Sequence, residues 1–331
     1  MPEPRVTVVV PTLAADSALE ECLRSLADQT LRDIEVVVVD NSGENRVAEA
    51  DGIRVIHNQK NVGFGAAVNQ GWEASRAPHL ATLNDDAVAH PRWLEALVAA
   101  IEARPEIGMC ASQVRLAGSN FLDSAGMLVA WDGSSKQRGH GEDASKYARR
   151  SEVLLPSGSA ALYRRAMLDE IGKFDDRFFL YCEDTDLGLR ARWAAWECVY
   201  VPDAIVEHRY SHSAGRGSAL KAYYVERNRL FLAVKNFPKS ALLLVPVYAT
   251  ARYFWHVVYG RKGQGATGQF RQEGGSTALL VRLVWRAHWA LLGEWRRLWR
   301  ERKKMKRRLT PKQFRKLLRS YTIGPRQVAA L

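Results

Sequence analysis

Apolar residues in the first hundred positions follow two spacings. Helices are predicted where apolar residues recur every three or four positions, as from Leu19 to Leu26, and again after Gly63 and from Pro91 to about Ala103. Buried strands are predicted at four short runs rich in β-branched and aliphatic residues: Val6–Val10, Ile34–Val39, Ile53–Ile56 and His79–Leu83. Strands and helices in alternation predict a doubly wound α/β sheet, in which ligands bind beyond the carboxyl ends of the strands.

The pattern weakens after residue 112. Residues 113–150 are rich in Gly, Ser and charge, which predicts a loop or a β excursion over the ligand site rather than core. A second structured block begins at Val153 and contains a predicted helix from Thr185 to Ala195 and a predicted strand at Cys198–Val201. We therefore predict an α/β domain over 1–236 and a helical region over 237–331.

The C-terminal region has two helix-length, aromatic-rich stretches, Ser240–Gly260 and Thr277–Arg300. Both carry arginine and histidine inside the stretch, and such charges are costly at the centre of a bilayer. Tryptophan with arginine on the opposite face is typical of a helix that lies in the membrane interface, and the run from Arg302 to Arg308 would add attraction to anionic lipid. Ordinary core helices are the alternative.

Charge is distributed unevenly along the chain. The protein has 331 residues and a formal net charge of +12, but residues 221–331 hold 25 Lys and Arg against 4 Asp and Glu. This excess predicts an anionic partner, either a lipid surface or nucleic acid, while a solvated helical face is the plainer explanation. The four cysteines form no CxxC pair, and no export signal is apparent, so a reducing cytoplasm is expected.

Polar residues follow three of the predicted strands or open a helix. Asp40 ends the second strand, although Asp-Asn-Ser-Gly is also an ordinary turn sequence. Asn61 and Gly63 precede a helix and leave room for a phosphate, but no GxGxxG turn follows the first strand, which argues against a dehydrogenase. After Leu83 come Asn84, Asp85 and Asp86, and a bound Mg²⁺ or Mn²⁺ would relieve the repulsion between the two adjacent carboxylates; a helix-capping turn is the alternative.

Three further acids, Glu183, Asp184 and Asp186, follow an aromatic run. A helix N-terminus favours anions, which accounts for them structurally, but a carboxylate beside aromatics also has a raised pKa and serves well as a general base. His208 follows a predicted strand, and an isolated histidine is more often a hydrogen-bonded structural residue than a metal ligand.

Taken in order, these motifs resemble the family 2 glycosyltransferases with the GT-A fold, especially the rhamnosyltransferase-like branch. The match spans roughly residues 5–235, and Leu189-Arg190-Ala191-Arg192 and Tyr224-x-x-Arg227-Asn228 also resemble that branch. The resemblance implies a GT-A type doubly wound mixed sheet, with a Rossmann-like nucleotide-binding half and an acceptor half, followed here by amphipathic C-terminal helices.

The resemblance also implies roles for individual residues. Asp184 would be the catalytic base, with Glu183 and Asp186 as supporting acids. Asp86 and His208 would bind a divalent metal ion, Mg²⁺ or Mn²⁺, because Asn84 stands where the family motif often begins with Asp. The donor would contact Pro11, Thr12, Asp40, Asn61, Gly63, Asn84 and Asp85. The acceptor side would include Ser157, Gly158, Phe179 and Tyr181.

The expected activity is inverting transfer of a sugar from a nucleoside diphosphate. We expect dTDP-rhamnose as the donor and a glycan or polyprenyl-diphosphate-linked saccharide as the acceptor in cell-envelope polysaccharide synthesis, on the inner face of the plasma membrane. A UDP-linked galactofuranose, N-acetylglucosamine or other hexose is the alternative donor. A nucleotidyltransferase would normally open with a glycine- and basic-rich phosphate loop, which is absent at the N-terminus. A nucleic-acid-binding protein with a functional basic tail is the non-enzymatic alternative, although we expect no nucleic-acid partner.

Overall fold

The computed structural model describes residues 3–209 and 218–331. The chain forms two compact units, one made of Met1–Met127 with Gln137–Tyr210 and the other of Leu128–Lys136 with Ser211–Leu331. The division expected at residue 236 therefore differs from the one observed, because the helix that ends at Asn236 belongs to the second unit.

Most strands of the described residues belong to one mixed sheet. Its neighbours run in the order β10-β12-β6-β11-β4-β1-β2-β3, with β5 beside β12 and β7 beside β6, while β8 and β9 form a separate pair. The strands are β1 (Val6–Thr12), β2 (Ile34–Asp40), β3 (Ile53–His57), β4 (His79–Leu83), β5 (Ala87–Ala89), β6 (Ile107–Leu116), β7 (Leu122–Ser124), β8 (Met127–Val129), β9 (Ser135–Gln137), β10 (Ser151–Glu152), β11 (Ala160–Arg164) and β12 (Glu197–His208).

Helices flank the sheet strands in sequence and fill most of the C-terminal third. They are α1 (Ser17–Ala27), α2 (Phe64–Ala74), α3 (Trp93–Glu102), α4 (Arg165–Ile171), α5 (Glu183–Trp193), α6 (Ala219–Asn236), α7 (Val245–Arg261), α8 (Gly265–Gln272), α9 (Thr277–Lys304), α10 (Pro311–Ser320) and α11 (Pro325–Ala330). Short 3-10 turns lie at Ala144–Tyr147, Asp176–Phe178 and Lys239–Leu244.

The first unit is built as the apolar runs predict. Strands β1 to β4 pair with one another in parallel, and the residues from Val6 to Val10 are buried because hydrophobic residues pack on both faces of the sheet. Helix α1 begins after Asp16, whose side chain accepts hydrogen bonds from the backbone N–H groups of Ala18 and Leu19. This confirms the mixed α/β sheet predicted from the sequence.

Strand β11 supplies the mixed character of the sheet. It runs antiparallel to both β4 and β6, with Ala160 opposite Leu83. The chain that leads into β11, Ser157–Ser159, therefore lies beside the chain that leaves β4. Part of the region 113–150 also joins the sheet, since β6 continues to Leu116 and β7 pairs with it, which refines the predicted loop or β excursion.

The second unit is helical and contains a buried network of charged side chains. Arg252 donates to Asp132 at 2.6 Å and to Glu226 at 2.9 Å, and Arg229 pairs with Glu226 as well. All four side chains are less than one-tenth exposed. Each buried charge in this network therefore faces a partner of opposite sign, which is the condition for tolerating buried ions.

One segment of this unit, Lys239–Arg261, is long and apolar enough by length and composition to cross a membrane, with a mean hydropathy of 1.3 over its best window and 17% of that window buried. It carries Arg252, which is held in the buried ion pairs just described. These contacts tie α7 to its own unit.

Candidate active site

The predicted motif residues of the first unit lie where strands end. Thr12 is the last residue of β1, Asp40 the last of β2, and Asn84 follows β4 directly. Because these strands are parallel and adjacent, the three positions share the carboxyl edge of the sheet. The Thr12 hydroxyl donates to Oδ2 of Asp85 at 2.6 Å, which joins the first of these strand ends to the acidic motif.

Asp40 is fixed in place by its own loop. Its carboxylate accepts backbone N–H groups of Ser42 at 2.9 Å and Val47 at 3.0 Å, and His57 lies 3.4 Å away. Burial would raise the pKa of Asp40, but these hydrogen bonds outweigh burial and hold the pKa at about 2. Asp40 is therefore a charged hydrogen-bond acceptor at neutral pH.

Asn61 and Gly63 form a tight turn before α2. Oδ1 of Asn61 accepts the N–H of Gly63 at 2.8 Å, and Gly63 has a φ of +88°. The next residue, Phe64, donates its N–H to the carbonyl of Phe179 at 2.9 Å. A Cβ at Gly63 would collide with that same carbonyl. The turn therefore holds the Asn-Val-Gly-Phe motif against the aromatic segment that precedes the predicted base.

That aromatic segment has an unusual backbone. Phe179, Tyr181 and Cys182 all have φ values between 63° and 68°, a region that residues with side chains seldom occupy. The segment ends at Cys182, which is the residue before the first turn of α5. This turn delivers Glu183 and Asp184 to the sheet edge.

Asp184 sits against the loop that leads into β11. Its Oδ2 accepts the N–H of Gly158 at 2.9 Å, and its Oδ1 accepts the N–H of Thr185 at 2.6 Å. Ser159 in the same loop accepts the N–H of Asn84 at 2.9 Å through its carbonyl. The loop Ser157–Ser159 therefore contacts both the predicted base, Asp184, and the first residue of the acidic motif, Asn84.

Burial raises the pKa of both acids at the start of α5. Glu183 is 6% exposed, and its Oε2 has no hydrogen-bond partner in the part of the chain that the structure describes. Burial and then the neighbouring charge of Asp184 raise the pKa of Glu183 to about 8. Burial also raises the pKa of Asp184, against the lowering effect of its backbone hydrogen bonds. A carboxylate with a raised pKa is a stronger base.

Asp186 has a different environment. Oδ2 of Asp186 accepts from Nε of Arg190 at 2.8 Å, and both side chains are buried. Arg190 also donates to the carbonyls of Ile171, Gly172 and Lys173. These contacts link α5 to the end of α4 and to the chain that follows it. By accepting a hydrogen bond from Arg190, Asp186 helps to hold α5 in position.

Strand register places His208 beside the acidic motif. His208 is the last residue of β12 and pairs with Ala87 of β5, the residue after Asp86. Nε2 of His208 lies 3.1 Å from Oδ1 of Asp86 and 3.1 Å from Nδ2 of Asn84. Burial would lower the pKa of His208, but the carboxylates of Asp123 and Asp86 raise it to about 10.

The Asp86 and His208 donors fit a divalent metal ion. Two neighbouring ligands at about 2.1 Å from an octahedral ion lie about 3 Å apart, which matches the 3.1 Å between these atoms. Within residues 3–209 and 218–331, no group of three or more His, Cys, Asp and Glu residues is arranged to hold a metal ion. The remaining ligands would therefore come from the diphosphate and water, as is common for Mg²⁺ and Mn²⁺.

Sequence reasoning missed Asp123 and His140. Oδ2 of Asp123 lies 2.8 Å from Nδ1 of His208, and its Oδ1 lies 3.2 Å from Nδ1 of His140. Asp123 lies on β7, inside the region that the sequence predicts only as a loop or β excursion. No local signal marks it, because the pairing of β7 with β6 is what brings it to His208.

The fold and the site together define a glycosyltransferase of the GT-A type. The structure of GalNAc-T7 with UDP, GalNAc and Mn²⁺ matches with a TM-score of 0.58 at 14% identity, over 79% of this chain and 51% of that one. The mannosyltransferase PcManGT of Pyrobaculum calidifontis, in complex with GDP-Man and Mn²⁺, matches with a TM-score of 0.50 at 16% identity, over 92% and 85%. The chain thus spans about half the length of GalNAc-T7, and at these identities the likeness concerns the fold.

The chain belongs to the family of glycosyltransferases described as Glycosyltransferase like family 2, whose model matches residues 4–231. It is 30% identical over 259 residues to the N-acetylglucosaminyl-diphospho-decaprenol L-rhamnosyltransferase of Mycobacterium tuberculosis, which covers 69% of this chain and 84% of the relative. The glycosyltransferase YwdF of Bacillus subtilis is also 30% identical, and the match covers 65% of this chain and 78% of the length of YwdF. The predicted rhamnosyltransferase-like branch is thereby confirmed.

Proposed function

We propose that this enzyme transfers a sugar, with inversion, from a nucleoside diphosphate to a polyprenyl-diphosphate-linked saccharide in cell-envelope polysaccharide synthesis. The donor is dTDP-rhamnose, and a UDP-linked hexose is the alternative. The observation that carries the proposal is that the loop Ser157–Ser159 contacts both Asp184 and Asn84, and that the Asn84 side chain lies 3.1 Å from His208 of the Asp86–His208 pair. The rhamnosyltransferase relative at 30% identity supports the choice of sugar and acceptor class.

Each residue of the site has its own role in the proposed reaction. Asp184 takes the proton from the acceptor hydroxyl, whose oxygen forms a bond to the anomeric carbon while the bond from that carbon to the diphosphate oxygen breaks. Because the attacking and leaving oxygens lie on opposite sides of the carbon, the configuration inverts. Gly158 holds Oδ2 of Asp184 in place through its N–H. Thr12, Asp40, Asn61 and Gly63 surround the nucleotide at the strand ends, and Phe179 and Tyr181 lie on the acceptor side.

Asp86 and His208 would hold the divalent metal ion. When bound, the ion supplies positive charge that stabilises the departing nucleoside diphosphate. A neutral imidazole nitrogen suits transition-metal ions better than Mg²⁺, so Mn²⁺ is the better fit to this pair. The structures of GalNAc-T7 and PcManGT were each solved with Mn²⁺.

We further propose that the enzyme works in the cytoplasm, on the inner face of the plasma membrane, through α9. Its exposed apolar side chains recur every three or four residues and so share one face of the helix. They are Val281, Trp285, Trp289, Leu292 and Trp295, which are between 42% and 64% exposed. The opposite face, with Leu283, Ala287 and Leu298, is buried.

Positive charge supports the same surface. Lys303, Lys304 and Lys306 are exposed at and beyond the end of α9. Arg302, expected from the sequence to face lipid, is instead 5% exposed and donates to the carbonyl of Val234 at 2.7 Å. Exposed indoles together with lysines are suited to an interface that contains anionic lipid. This chemistry favours a membrane over duplex DNA, whose backbone offers no apolar layer for the indoles.

Binding of nucleotides tests the donor class directly. Thermal shift or calorimetry with dTDP, UDP and GDP, each with and without Mn²⁺ or Mg²⁺, should reveal one nucleotide whose binding the metal ion strengthens. Preference for dTDP supports the rhamnosyl donor, and preference for UDP selects the alternative. NAD serves as the negative control. Failure of every nucleoside diphosphate to bind with either metal ion would refute the proposal.

A further inference from the structure

We propose that Asp123 is a positioning residue that orients His208 for metal binding. The inference rests on the metal role given to His208 in the proposed function. Neither the family match nor the sequence motifs point to Asp123, which acts through another side chain. The inference is drawn from the position of Asp123 on β7 and from its contacts with His208 and His140.

The geometry around His208 assigns a separate partner to each ring nitrogen. Nδ1 lies 2.8 Å from Oδ2 of Asp123, and Nε2 lies 3.1 Å from Oδ1 of Asp86. An ionised carboxylate accepts hydrogen bonds only, so Asp123 keeps the proton on Nδ1. To bind a metal ion, His208 must lose its second proton, the one on Nε2, and the lone pair of the ring then lies on Nε2 beside Asp86.

Asp123 is itself held on its other side. Its Oδ1 lies 3.2 Å from Nδ1 of His140, and its side chain is 2% exposed. The pairing of Val114 with Ser124 fixes β7 to β6, and β6 pairs with β12 next to His208. Asp123 therefore meets His208 from a strand that is joined to β12 through β6, and its contact with Nδ1 limits rotation of the imidazole ring.

A carboxylate behind a metal-ligating histidine raises the basicity of the ring and restricts its orientation, and loss of such a partner typically weakens metal affinity by about 10- to 100-fold. Asp123→Asn removes the charge but keeps the shape and an acceptor oxygen. We expect it to weaken Mn²⁺ binding by roughly tenfold, and Asp123→Ala by more. At saturating Mn²⁺, kcat of Asp123→Asn should recover, because the variant retains the Asp86 and His208 ligands.

The experiment measures Mn²⁺ binding by electron paramagnetic resonance, with Mn²⁺ alone and then with dTDP or UDP present. The full-length wild type, Asp123→Asn, Asp123→Ala and His208→Ala are compared, and the melting temperature of each is recorded without metal. Glu102→Gln is the matched control, since Glu102 also pairs with a buried histidine, His79 at 3.2 Å, away from the site. That control should keep wild-type Mn²⁺ affinity.

The possible results distinguish a failure of the Asp123 role from a failure of the metal site. If His208→Ala loses Mn²⁺ and Asp123→Asn stays within twofold of wild type, the positioning role of Asp123 is wrong while the metal site stands. If wild type binds no Mn²⁺ under any of these conditions, both the metal assignment and this inference fall.

A measurement on the wild type covers the case in which the Asp123 variants do not fold. Long-range ¹H–¹⁵N spectra of the histidine rings, with Zn²⁺ as a diamagnetic substitute for Mn²⁺, report which nitrogen carries the proton. We expect His208 to be protonated on Nδ1 in the metal-bound state. Protonation on Nε2 would overturn the inference.

Discussion

Asp184, the proposed base, has a fixed orientation. One of its oxygens accepts the N–H of Gly158 and the other that of Thr185, so its carboxylate plane is set by the backbone. Oδ1 also accepts the hydroxyl of Thr185 at 3.1 Å, whereas Oδ2 keeps a second lone pair that can accept a proton while its hydrogen bond to Gly158 remains. The carboxylate is thus held by two backbone N–H groups and by the Thr185 hydroxyl.

Replacing Asp184 should stop the reaction while sparing the donor site. We expect Asp184→Asn to lower kcat by roughly 100- to 10,000-fold, because a positioned general base contributes about that factor. The thermal shift given by the preferred nucleotide with Mn²⁺ should stay close to that of wild type. Asp169→Asn, at an exposed position on α4, is the control and should retain full turnover. Wild-type kcat in Asp184→Asn would assign the base elsewhere.

Glu183 makes folding stability depend on pH in a defined direction. Its pKa is raised from 4.5 to about 8 by burial and by Asp184, so the folded state binds more protons than the unfolded state between these values. Stability should therefore fall as pH rises through this window. Glu183→Gln removes the titration, so its free energy of unfolding relative to wild type should increase from pH 5 to pH 9. Urea unfolding of both proteins at the two pH values measures this, and an unchanged difference would contradict it.

At the scale of elements, the turns between strands and helices decide the site. Gly63 has two separate reasons to be glycine, its φ of +88° and the close approach of the Phe179 carbonyl. Gly52 has a similar φ of +76°, but a Cβ there meets no atom within 4 Å. A comparison of substitutions at Gly63 and Gly52 therefore separates the cost of backbone strain from the cost of steric collision within the same unit.

Gly63→Ala should destabilise the protein more than Gly52→Ala. Left-handed backbone costs an alanine on the order of 1 to 2 kcal/mol, which both variants incur. Gly63→Ala must also displace the chain at Phe179, next to the segment that leads to Glu183, so we expect a total above about 3 kcal/mol and a loss of activity. Urea unfolding and turnover of the two variants test this. Equal destabilisation would mean that the Phe179 contact yields at little cost.

The sequence predicts elements well where one short pattern is sufficient. Val- and Ile-rich runs predict β1 and β2 because parallel strands are buried on both faces of the sheet. Asp123 could not be predicted in this way. Its position beside His208 depends on the pairing of β7 with β6 and of β6 with β12, which involves residues far apart in sequence.

The residues of the candidate site also divide into those that a local sequence pattern can select and those that depend on contacts between distant residues. Asn84, Asp85 and Asp86 follow a strand and Asp184 opens a helix, so local pattern and family resemblance are sufficient to select them. The difference between Asp184 and Asp186 is not local, since both stand in the first turn of α5. Only the packing of Arg190 against the chain after α4 shows that Asp186 is tied to the scaffold.

At the scale of the whole molecule, charge and apolar exposure coincide in the C-terminal third. Residues 221–331 hold 25 Lys and Arg against 4 Asp and Glu. The same part of the chain contains most of the large hydrophobic side chains that are exposed in the described residues, including Trp285 and Trp289 on α9. Basic charge by itself suits any polyanion, but the exposed indoles add a requirement for an apolar layer, which is the physical reason to prefer a membrane surface.

Removing the two central indoles of α9 should detach the protein from membranes without affecting its chemistry. Each buried indole contributes on the order of 2 kcal/mol, so the double variant Trp285→Ser with Trp289→Ser should bind vesicles at least tenfold more weakly. Co-sedimentation with vesicles that contain phosphatidylglycerol measures this, and neutral phosphatidylcholine vesicles should bind less of the wild type. Phe121→Ser, which removes a side chain 51% exposed in the first unit, is the matched control and should bind as wild type does. Full vesicle binding by the double variant, or retention on duplex DNA without retention on vesicles, would contradict the membrane role of α9, because neither result needs the indoles to enter an apolar layer.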